Sequence, residues 1–468
     1  MKGLVLTNGR FYTMNPEAPV VEAVGVRDGR ITSAGGTHEV REAMGPHVEV
    51  VDLKGQTVLP GLIDSHAHLS YLGLNLDRVD LDGVADLGQA LRKVRGAVEK
   101  AEPGSWILGS GWNKNLWDRW PEARDLDAIA PQNPVALGSK DYHSLWVNTA
   151  ALRLAGIGAG TPDPAGGRIL RDSATGGPSG ALMDSARDFV TSRIPKPSEA
   201  DLQEAITRAT ALAHSLGLTG VHVPEEAEVF RAFQDLERTG KLRIRTLMMI
   251  PENRLEEAAD VGLRTGFGNE WLRVGPVKVF SDGALGSQTA WMLEPYDGMP
   301  GHTGLAVHMP GEIRELVARA AEAGFGLAVH AIGDRANREV LDALEALHPV
   351  SAARGLRHRI EHAQILHPTD IPRFARLGVI ASVQPIHATS DRYTADRYWG
   401  ERARYAYPFR SLLGTGARLA FGSDAPVETI DPLKGIYAAV ARKRQEEPDS
   451  EPWYPSERLT VDEAVLAY

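Results

Sequence analysis

The chain has 468 residues, 43% hydrophobic and 24% charged, so it can bury a large core and holds one large domain plus an accessory one. Its net charge of -10 argues against nucleic acid and anionic membranes as partners, and its lack of cysteine excludes disulfides, thiolate metal sites and a cysteine nucleophile. The sequence shows no signal-like N-terminus and no apolar run near the ~20 residues of a membrane span, so we expect a soluble, cytoplasmic protein.

Residues 1–58 are predicted to form a small β-sandwich domain. Short strand-like runs at 4–6, 11–13, 23–26, 30–32 and 48–51 are separated by Asn8-Gly9, Asp28-Gly29 and Gly35-Gly36. Asp-Gly between alternating runs is a strong hairpin signal, because both residues tolerate positive φ. Nothing in this segment indicates catalysis.

From residue 59 the pattern becomes strand, loop, helix, which predicts an α/β fold. Helix-like stretches lie at 87–102, 199–216, 229–239, 310–323 and 335–347, and apolar strand candidates at 220–223, 244–250, 274–280, 326–330, 359–363, 379–383 and 418–421. Strands that are apolar on both faces and alternate with helices indicate a covered parallel sheet. About eight such units favour a (β/α)8 TIM-type barrel over residues 59–468.

Residues 106–188 interrupt this pattern and are predicted to form a lobe inserted after strand one, over the barrel mouth. The segment is rich in Gly and Pro, and its aromatic and histidine side chains could form either a substrate wall or the lobe's own core. Both alternatives stay open for Trp112, Trp117, Trp120, Tyr142, His143 and Trp146.

The first barrel strand candidate, 59–68, ends in two histidines. Side chains alternate faces along a strand, so His66 and His68 point the same way. Two neutral imidazoles on one face can bind a single divalent cation. A His-x-His pair alone also fits a chance pair or two polar surface residues, so further ligands must decide.

Four later strand ends supply such residues: Lys278, His330, His362 and Asp424. A buried, unpaired ammonium costs several kcal/mol, so Lys278 must be paired with a carboxylate such as Asp282, neutral, or carboxylated. A lone strand-end histidine is commonly a satisfied core residue. Barrel enzymes, however, place their active sites at the carboxyl ends of the strands, where all of these residues fall in order.

With these motifs the chain resembles the metal-dependent amidohydrolase superfamily, whose pattern is His-x-His on strand one, Lys on strand four, His on strands five and six and Asp on strand eight. Within it, the chain is similar to the YtcJ-like branch (amidohydrolase 3 family), which includes N-substituted formamide deformylases. The shared motifs span nearly the whole chain: Gly-Trp-Asn (111–113), Asp-Tyr-His-Ser-Leu-Trp-Val-Asn (141–148), Lys-Val-Phe-Ser-Asp-Gly-Ala-Leu-Gly-Ser (278–287), His-Ala-Ile-Gly-Asp (330–334), Ile-Glu-His (360–362), Ser-Val-Gln-Pro (382–385) and Gly-Ser-Asp-Ala-Pro (422–426).

The resemblance implies a hydrolase that cleaves an amide-type C–N bond of a small molecule by attack of metal-bound hydroxide. One or two divalent ions, expected to be zinc, would bind to His66, His68, Lys278, His330, His362 and Asp424, with a CO2-derived carbamate on Lys278 bridging two ions. Asp424 would move the proton. Substrate-binding candidates are Trp112, His143, Asp282, His387 and Asp391, with His143 as an oxyanion donor. The only protein partner expected is a second copy of the chain, in a homodimer.

Alternatives remain open at this point. The barrel could belong to a lactonase or ester hydrolase, a decarboxylase or isomerase, or a binding protein without activity. The chain departs from the family at Asp184, where Glu is expected. It also ends at Tyr468, before a segment that completes the sandwich in relatives, so the C-terminal part of the sandwich is expected to be missing.

Overall fold

The computed structural model describes residues 3–117, 119–139, 144–164 and 167–468, apart from the side chains of Asn115 and Asp184. The chain divides into two compact units. The first comprises Met1–Ser70 and Ile206–Tyr468, and the second comprises Tyr71–Ala205. None of the described helices combines the length and apolar character required to cross a membrane.

Two separate small sheets occupy the N-terminal segment. The elements are β1 (Gly3–Thr7), β2 (Arg10–Tyr12), β3 (Val20–Val21), β4 (Ala23–Arg27), β5 (Arg30–Gly35), α1 (Thr37–Met44), β6 (Val48–Asp52) and β7 (Thr57–Val58). One sheet has the order β5-β4-β1-β6 and the other β3-β2-β7. Asp28 and Gly29 have φ angles of 50° and 75°, as the hairpin signal between β4 and β5 predicts. Helix α1 was not predicted; it buries Val40 and Met44 against Val5.

The chain then forms the first barrel strand, β8 (Leu62–Asp64), and enters the second unit. The elements between residues 69 and 215 are α2 (Leu69–Asn75), β9 (Val79–Asp80), α3 (Leu87–Val98), β10 (Ile107–Trp112), α4 (Ala123–Asp127), β11 (Val135–Ser139), β12 (Ser144–Val147), α5 (Thr149–Leu154), β13 (Gly167–Arg171), β14 (Pro178–Asp184), α6 (Asp188–Thr191) and α7 (Glu199–Ser215). Residues 69–70 and 206–215 of these belong to the first unit. Six strands form a sheet of order β13-β14-β12-β11-β10-β9.

This unit, 71–205, extends beyond the insertion predicted at 106–188. The reason is long-range packing. Helix α3 buries Ala90 and Val94 in the same core as Trp112, Trp117 and Trp146, and β9 pairs with β10. Helix α3 therefore belongs to the same compact unit as the insertion predicted at 106–188.

The remaining elements complete the first unit. They are β15 (Leu218–Val223), α8 (Ala227–Arg238), β16 (Arg245–Pro251), α9 (Leu255–Asp260), β17 (Leu272–Phe280), α10 (Pro310–Ala323), β18 (Leu327–Ala331), α11 (Asp334–Ala346), α12 (His348–Ala353), β19 (Arg359–His362), α13 (Ile371–Leu377), β20 (Ile380–Val383), α14 (His387–Ser390), α15 (Arg392–Trp399), α16 (Phe409–Gly414), β21 (Arg418–Phe421), α17 (Pro432–Ala441) and α18 (Val461–Ala467).

Eight parallel strands form a nearly closed barrel of order β21-β20-β19-β18-β17-β16-β15-β8, as the sequence predicts. Just past the ends of β8 and β21, Ser65 N donates to Phe421 O (2.9 Å) and Asp424 N donates to His66 O (2.7 Å). These two bonds join the open edges at the carboxyl end of the barrel. The segment that carries the predicted ligands His66 and His68 therefore lies beside the segment that carries the predicted ligand Asp424.

Candidate metal centre

The carboxyl ends of the barrel strands bring all six sequence-predicted ligands to one cleft of about 360 Å³. His66 and His68 follow β8, and Asp424 follows β21. Lys278, His330 and His362 lie on β17, β18 and β19, which are strands four, five and six of the barrel. This is the face on which barrel enzymes carry their active sites.

Two groups of three side chains in the cleft have the spacing of a metal site. The first is His66, His68 and Asp424, and the second is His362, His387 and Asp424; within each group the candidate ligand atoms lie within 4.8 Å of one another. Asp424 Oδ1 is 3.5 Å from His66 Nε2 and 3.3 Å from His68 Nε2. Asp424 therefore belongs to both groups.

The backbone is strained at two of these positions. His362 and Asp424 have φ angles of 72° and 59°, in the left-handed region that non-glycine residues rarely adopt. Such a conformation costs roughly 1–3 kcal/mol per residue and persists only where the surroundings enforce it. Both residues are ligand candidates, so the strain coincides with the site.

A buried carboxylate fixes the orientation of His66. Glu361 Oε2 accepts a hydrogen bond from His66 Nδ1 at 2.6 Å. The other ring nitrogen, Nε2, therefore carries the lone pair and faces Asp424. Glu361 also pairs with Arg359, whose Nη1 is 2.8 Å from His222 Nδ1. Although burial opposes ionisation, the Arg359 guanidinium and His66 hold the pKa of Glu361 well below its usual range.

The sequence reasoning missed this network. Its signal was the Arg359-Ile360-Glu361 run, which places two opposite charges in a strand that is buried throughout. Gln384 was missed in the same way. Its Oε1 accepts a hydrogen bond from His362 Nδ1 at 2.8 Å, which leaves Nε2 as the ligand atom of His362.

His330 is held by polar groups of the loop after β17. Its Nε2 donates to Gly283 O at 3.0 Å and lies 3.5 Å from Asp282 Oδ1, which leaves Nδ1 with the lone pair. Burial, together with Lys278, lowers the pKa of His330 to about 3, so the ring is neutral, as a metal ligand must be.

Lys278 has a buried amine with no hydrogen-bond partner among the described residues. Its Nζ lies 4.5 Å from the centre of the Phe280 ring. Burial lowers its pKa to about 8, so about a tenth of the amine is neutral at pH 7. Lys278 makes no salt bridge to Asp282. An amine without a partner is consistent with a lysine that reacts with CO2 or that faces a metal site.

Asp282, a substrate-binding candidate from the sequence, makes structural contacts to the backbone. Its oxygens accept backbone N–H bonds from Trp291, Ile332 and Gly333 at 2.8–3.0 Å, and the side chain is buried away from the cleft lining. Burial raises its pKa to about 7, and the three backbone donors oppose that rise. It anchors the loops that follow β17 and β18.

Trp112 is one of the side chains for which a substrate wall and a lobe core both stayed open. It is buried in the tryptophan-rich core of residues 71–205, where its indole nitrogen donates to Leu137 O at 2.7 Å. Of the two alternatives left open for this residue, the structure gives it the packing role. His143 lies outside the described residues.

The other two substrate-binding candidates, His387 and Asp391, do line the cleft. Asp391 Oδ2 accepts hydrogen bonds from Tyr407 Oη at 2.6 Å and from Gln364 Nε2 at 3.1 Å, so the carboxylate is held in place. Apolar side chains complete the lining, and they are Phe280, Leu285, Ile332 and Val427. The cleft thus offers both a fixed charge and an apolar wall.

The donor set fits a divalent cation. It contains imidazole nitrogens and carboxylate oxygens without sulfur, a combination that suits zinc and neighbouring transition metals. Asp424 is ionised: burial alone would raise its pKa, but the His68 hydrogen bond and nearby His66 and His362 hold it well below the usual range. The carboxylate can therefore act as a ligand or accept a proton.

Comparison with known proteins agrees with this geometry. The Amidohydrolase family model matches residues 49–468. Protein LONG AFTER FAR-RED 3 of Arabidopsis thaliana is 38% identical, and the alignment covers 99% of this chain and 82% of that protein. Putative amidohydrolase YtcJ of Bacillus subtilis is 35% identical over 98% of this chain and 88% of the relative.

Two further matches carry chemical descriptions. N-substituted formamide deformylase of Arthrobacter pascens is 32% identical over 100% of this chain and 88% of that protein. The crystal structure of an uncharacterized metal-dependent hydrolase from Pyrococcus furiosus superposes with a TM-score of 0.82 at 30% identity, covering 99% of this chain and 95% of that one. With its barrel, its cluster of candidate ligand side chains and these matches, the chain belongs to the amidohydrolase family.

Proposed function

We propose that this protein hydrolyses an amide-type C–N bond of a small molecule in a metal-dependent reaction. One observation carries the proposal: four histidines, an ionised aspartate and a partnerless buried lysine line a single cleft at the carboxyl end of the barrel. The relative named N-substituted formamide deformylase, 32% identical, supports an N-acyl amine as the substrate class.

The metal would be held by His66, His68, His330, His362 and Asp424, with zinc as the ion that this donor set suits. A divalent ion bound there would lower the pKa of a water molecule and polarise a carbonyl oxygen. The neutral amine of Lys278 would attack the carbon of CO2, so that an N–C bond forms while one C=O π bond of CO2 breaks. The nitrogen would release a proton to solvent, which leaves an anionic carbamate. An unpaired buried amine costs free energy, and the carbamate would replace it with an anion that can pair with the bound metal.

Asp424 is the proton-transfer residue of this proposal. Its ionised carboxylate lines the cleft and would accept the proton of the attacking water, then return it to the leaving nitrogen. Phe280, Leu285 and Ile332 supply an apolar surface for the substrate's hydrocarbon part. The cleft of about 360 Å³ limits the substrate to a small molecule.

A hydrolysis screen on zinc-loaded enzyme tests this function. The panel contains N-formyl amines, N-acyl amino acids, cyclic ureides and lactones. We expect turnover of an N-acyl substrate and a loss of roughly 10²- to 10⁴-fold in kcat for Asp424→Asn. The matched control is Asp431→Asn, because Asp431 caps helix α17 through Leu433 N and is not among the residues that line the cleft. Turnover confined to lactones would favour the ester-hydrolase alternative and contradict C–N cleavage.

A further inference from the structure

A second carboxylate, that of Asp391, lines the cleft that contains the candidate metal ligands. Asp424 is the other acidic residue among the described residues of the lining, and the proposed function assigns it to the metal and to proton transfer. Asp391 belongs to neither of the two groups of side chains that have the spacing of a metal site. Its carboxylate is therefore available to the substrate.

Two buried side chains hold this carboxylate by one of its oxygens. Tyr407 Oη and Gln364 Nε2 both donate to Asp391 Oδ2, at 2.6 and 3.1 Å. The second oxygen, Oδ1, accepts no hydrogen bond from the described residues and is not fully buried. The carboxylate thus has one oxygen that the protein fixes and one that a ligand in the cleft can reach.

No arginine or lysine forms an ion pair with Asp391 in the part of the chain that the structure describes. Arg392, the next residue, pairs with Glu447 instead. The buried guanidinium of Arg442 donates to the backbone carbonyl of Tyr407 at 3.2 Å and not to the carboxylate. A carboxylate at the wall of a cleft, without a cation of the protein beside it, suits a ligand that brings its own positive charge.

The position of Asp391 relative to the metal site limits the length of that ligand. Asp391 N donates to His387 O at 2.8 Å, so the two residues are one helical turn, or about 5–6 Å, apart. The ring of His387 stacks on that of the candidate ligand His362, with centroids 6.3 Å apart. Phe280 and Leu285 line the same cleft and suit a hydrocarbon chain. A substrate whose carbonyl lies at the metal can therefore reach Asp391 through a short alkyl chain.

We propose that Asp391 binds the ammonium group of a cationic substrate, so that the protein hydrolyses the mono-N-acyl derivative of a short diamine. The second amine of such a compound is protonated at neutral pH and would donate a charge-assisted hydrogen bond to Oδ1. This inference rests on the proposed function and adds to it the charge of the substrate. Asp391 is then a specificity-determining residue, since it contacts the substrate away from the scissile bond.

Two matched substrates test the assignment on zinc-loaded enzyme. Mono-N-formyl diaminobutane carries the ammonium group, and N-formyl pentylamine has a methyl group of similar size in its place. We expect the wild type to prefer the ammonium compound in kcat/KM, and we expect Asp391→Asn to reduce that preference roughly 10- to 100-fold. The ratio of the two rates cancels any difference in zinc content or folded fraction between the proteins.

Asp396→Asn is the matched control for the substitution. Asp396 lies on the same helix, α15, and accepts a hydrogen bond from Trp453 Nε1 at 2.9 Å, but it is not among the residues that line the cleft. This variant should keep the wild-type preference. A wild-type enzyme that hydrolyses both compounds equally well, or an equal loss on both in Asp391→Asn, would overturn the assignment and leave amide hydrolysis standing.

Binding measurements decide the role of Asp391 even without turnover. If zinc-loaded enzyme hydrolyses neither compound, calorimetry compares their affinities for the wild type and for Asp391→Asn. Tighter binding of the ammonium compound that is lost in the variant supports the assignment, and equal affinities refute it. Failure to hydrolyse any member of the N-acyl panel would instead contradict the proposed function itself.

Discussion

Replacing Glu361 with glutamine should weaken both the fold and the metal centre. The carboxylate is fully buried between His66, whose Nδ1 atom lies 2.6 Å from Oε2, and the guanidinium of Arg359. Glu361→Gln keeps the size of the side chain and removes its charge. Arg359 is then a buried cation without a full counter-charge, and His66 no longer has an anion on the far side of its ring.

The magnitude follows from these two contacts. Breaking a buried ion pair by removing one partner costs about 3–5 kcal/mol, because an uncompensated charge stays in the core. Loss of the carboxylate that orients a ligating histidine lowers metal affinity by roughly 10- to 100-fold. We therefore expect a fall of about 3–5 kcal/mol in the free energy of unfolding of the apo enzyme, together with a zinc Kd raised roughly 10- to 100-fold.

Urea unfolding of the apo enzyme and zinc titration against a chelator measure the two effects separately. The matched control is Glu345→Gln, because Glu345 is a partly exposed carboxylate that pairs with Arg373 and Arg376 outside the site. A surface pair contributes only about 0–1 kcal/mol. If Glu361→Gln unfolds within 1 kcal/mol of this control and binds zinc equally well, the buried network does not support the centre.

Three more predictions follow from other contacts. Lys278→Ala should lose most of its activity and regain part of it with added formate, and a wild-type crystal at neutral pH should show density beyond Nζ; a bare Nζ in a zinc-loaded crystal would exclude the carbamate. His66→Ala and His330→Ala should each lower kcat/KM by orders of magnitude with unchanged circular dichroism, whereas wild-type rates would remove the cleft from catalysis. Burial lowers the pKa of His358 to about 4. Below about pH 6.5, therefore, His358 binds a proton in the unfolded chain but stays neutral in the folded chain. Between pH 7 and pH 5, the free energy of unfolding of the apo wild type should therefore fall by about 2 kcal/mol more than that of apo His358→Gln. An equal fall in both proteins would refute this.

Local sequence patterns were sufficient to predict the barrel and the candidate ligands that line one cleft. Apolar runs that end in His or Asp mark both a buried parallel strand and its carboxyl end, so the pattern that predicts the strand also predicts the ligand. The helix predicted at 310–323 has the observed bounds Pro310–Ala323, because Pro310 marks its start and Gly324 ends it with a φ of 85°. Helix α1 gave a weaker signal, since only Val40 and Met44 of its eight residues are buried.

The supporting residues could not be predicted in this way. Glu361 and His66 are 295 positions apart, and their hydrogen bond depends on the three-dimensional arrangement of β8 and β19. Trp112 illustrates a second limit, because aromatic side chains suit a substrate wall and a lobe core equally well. Packing against α3, which lies outside the predicted insertion, places it in the core.

The central claim is most directly tested by adding zinc back to chelator-stripped enzyme and following hydrolysis of an N-formyl amine. We expect no turnover without metal, and a rate that rises with added zinc until the cleft is saturated at no more than two equivalents. The same titration of Asp424→Asn separates metal binding from proton transfer. Hydrolysis that persists in the stripped enzyme, or a zinc-saturated enzyme that leaves every C–N substrate intact, would contradict the account.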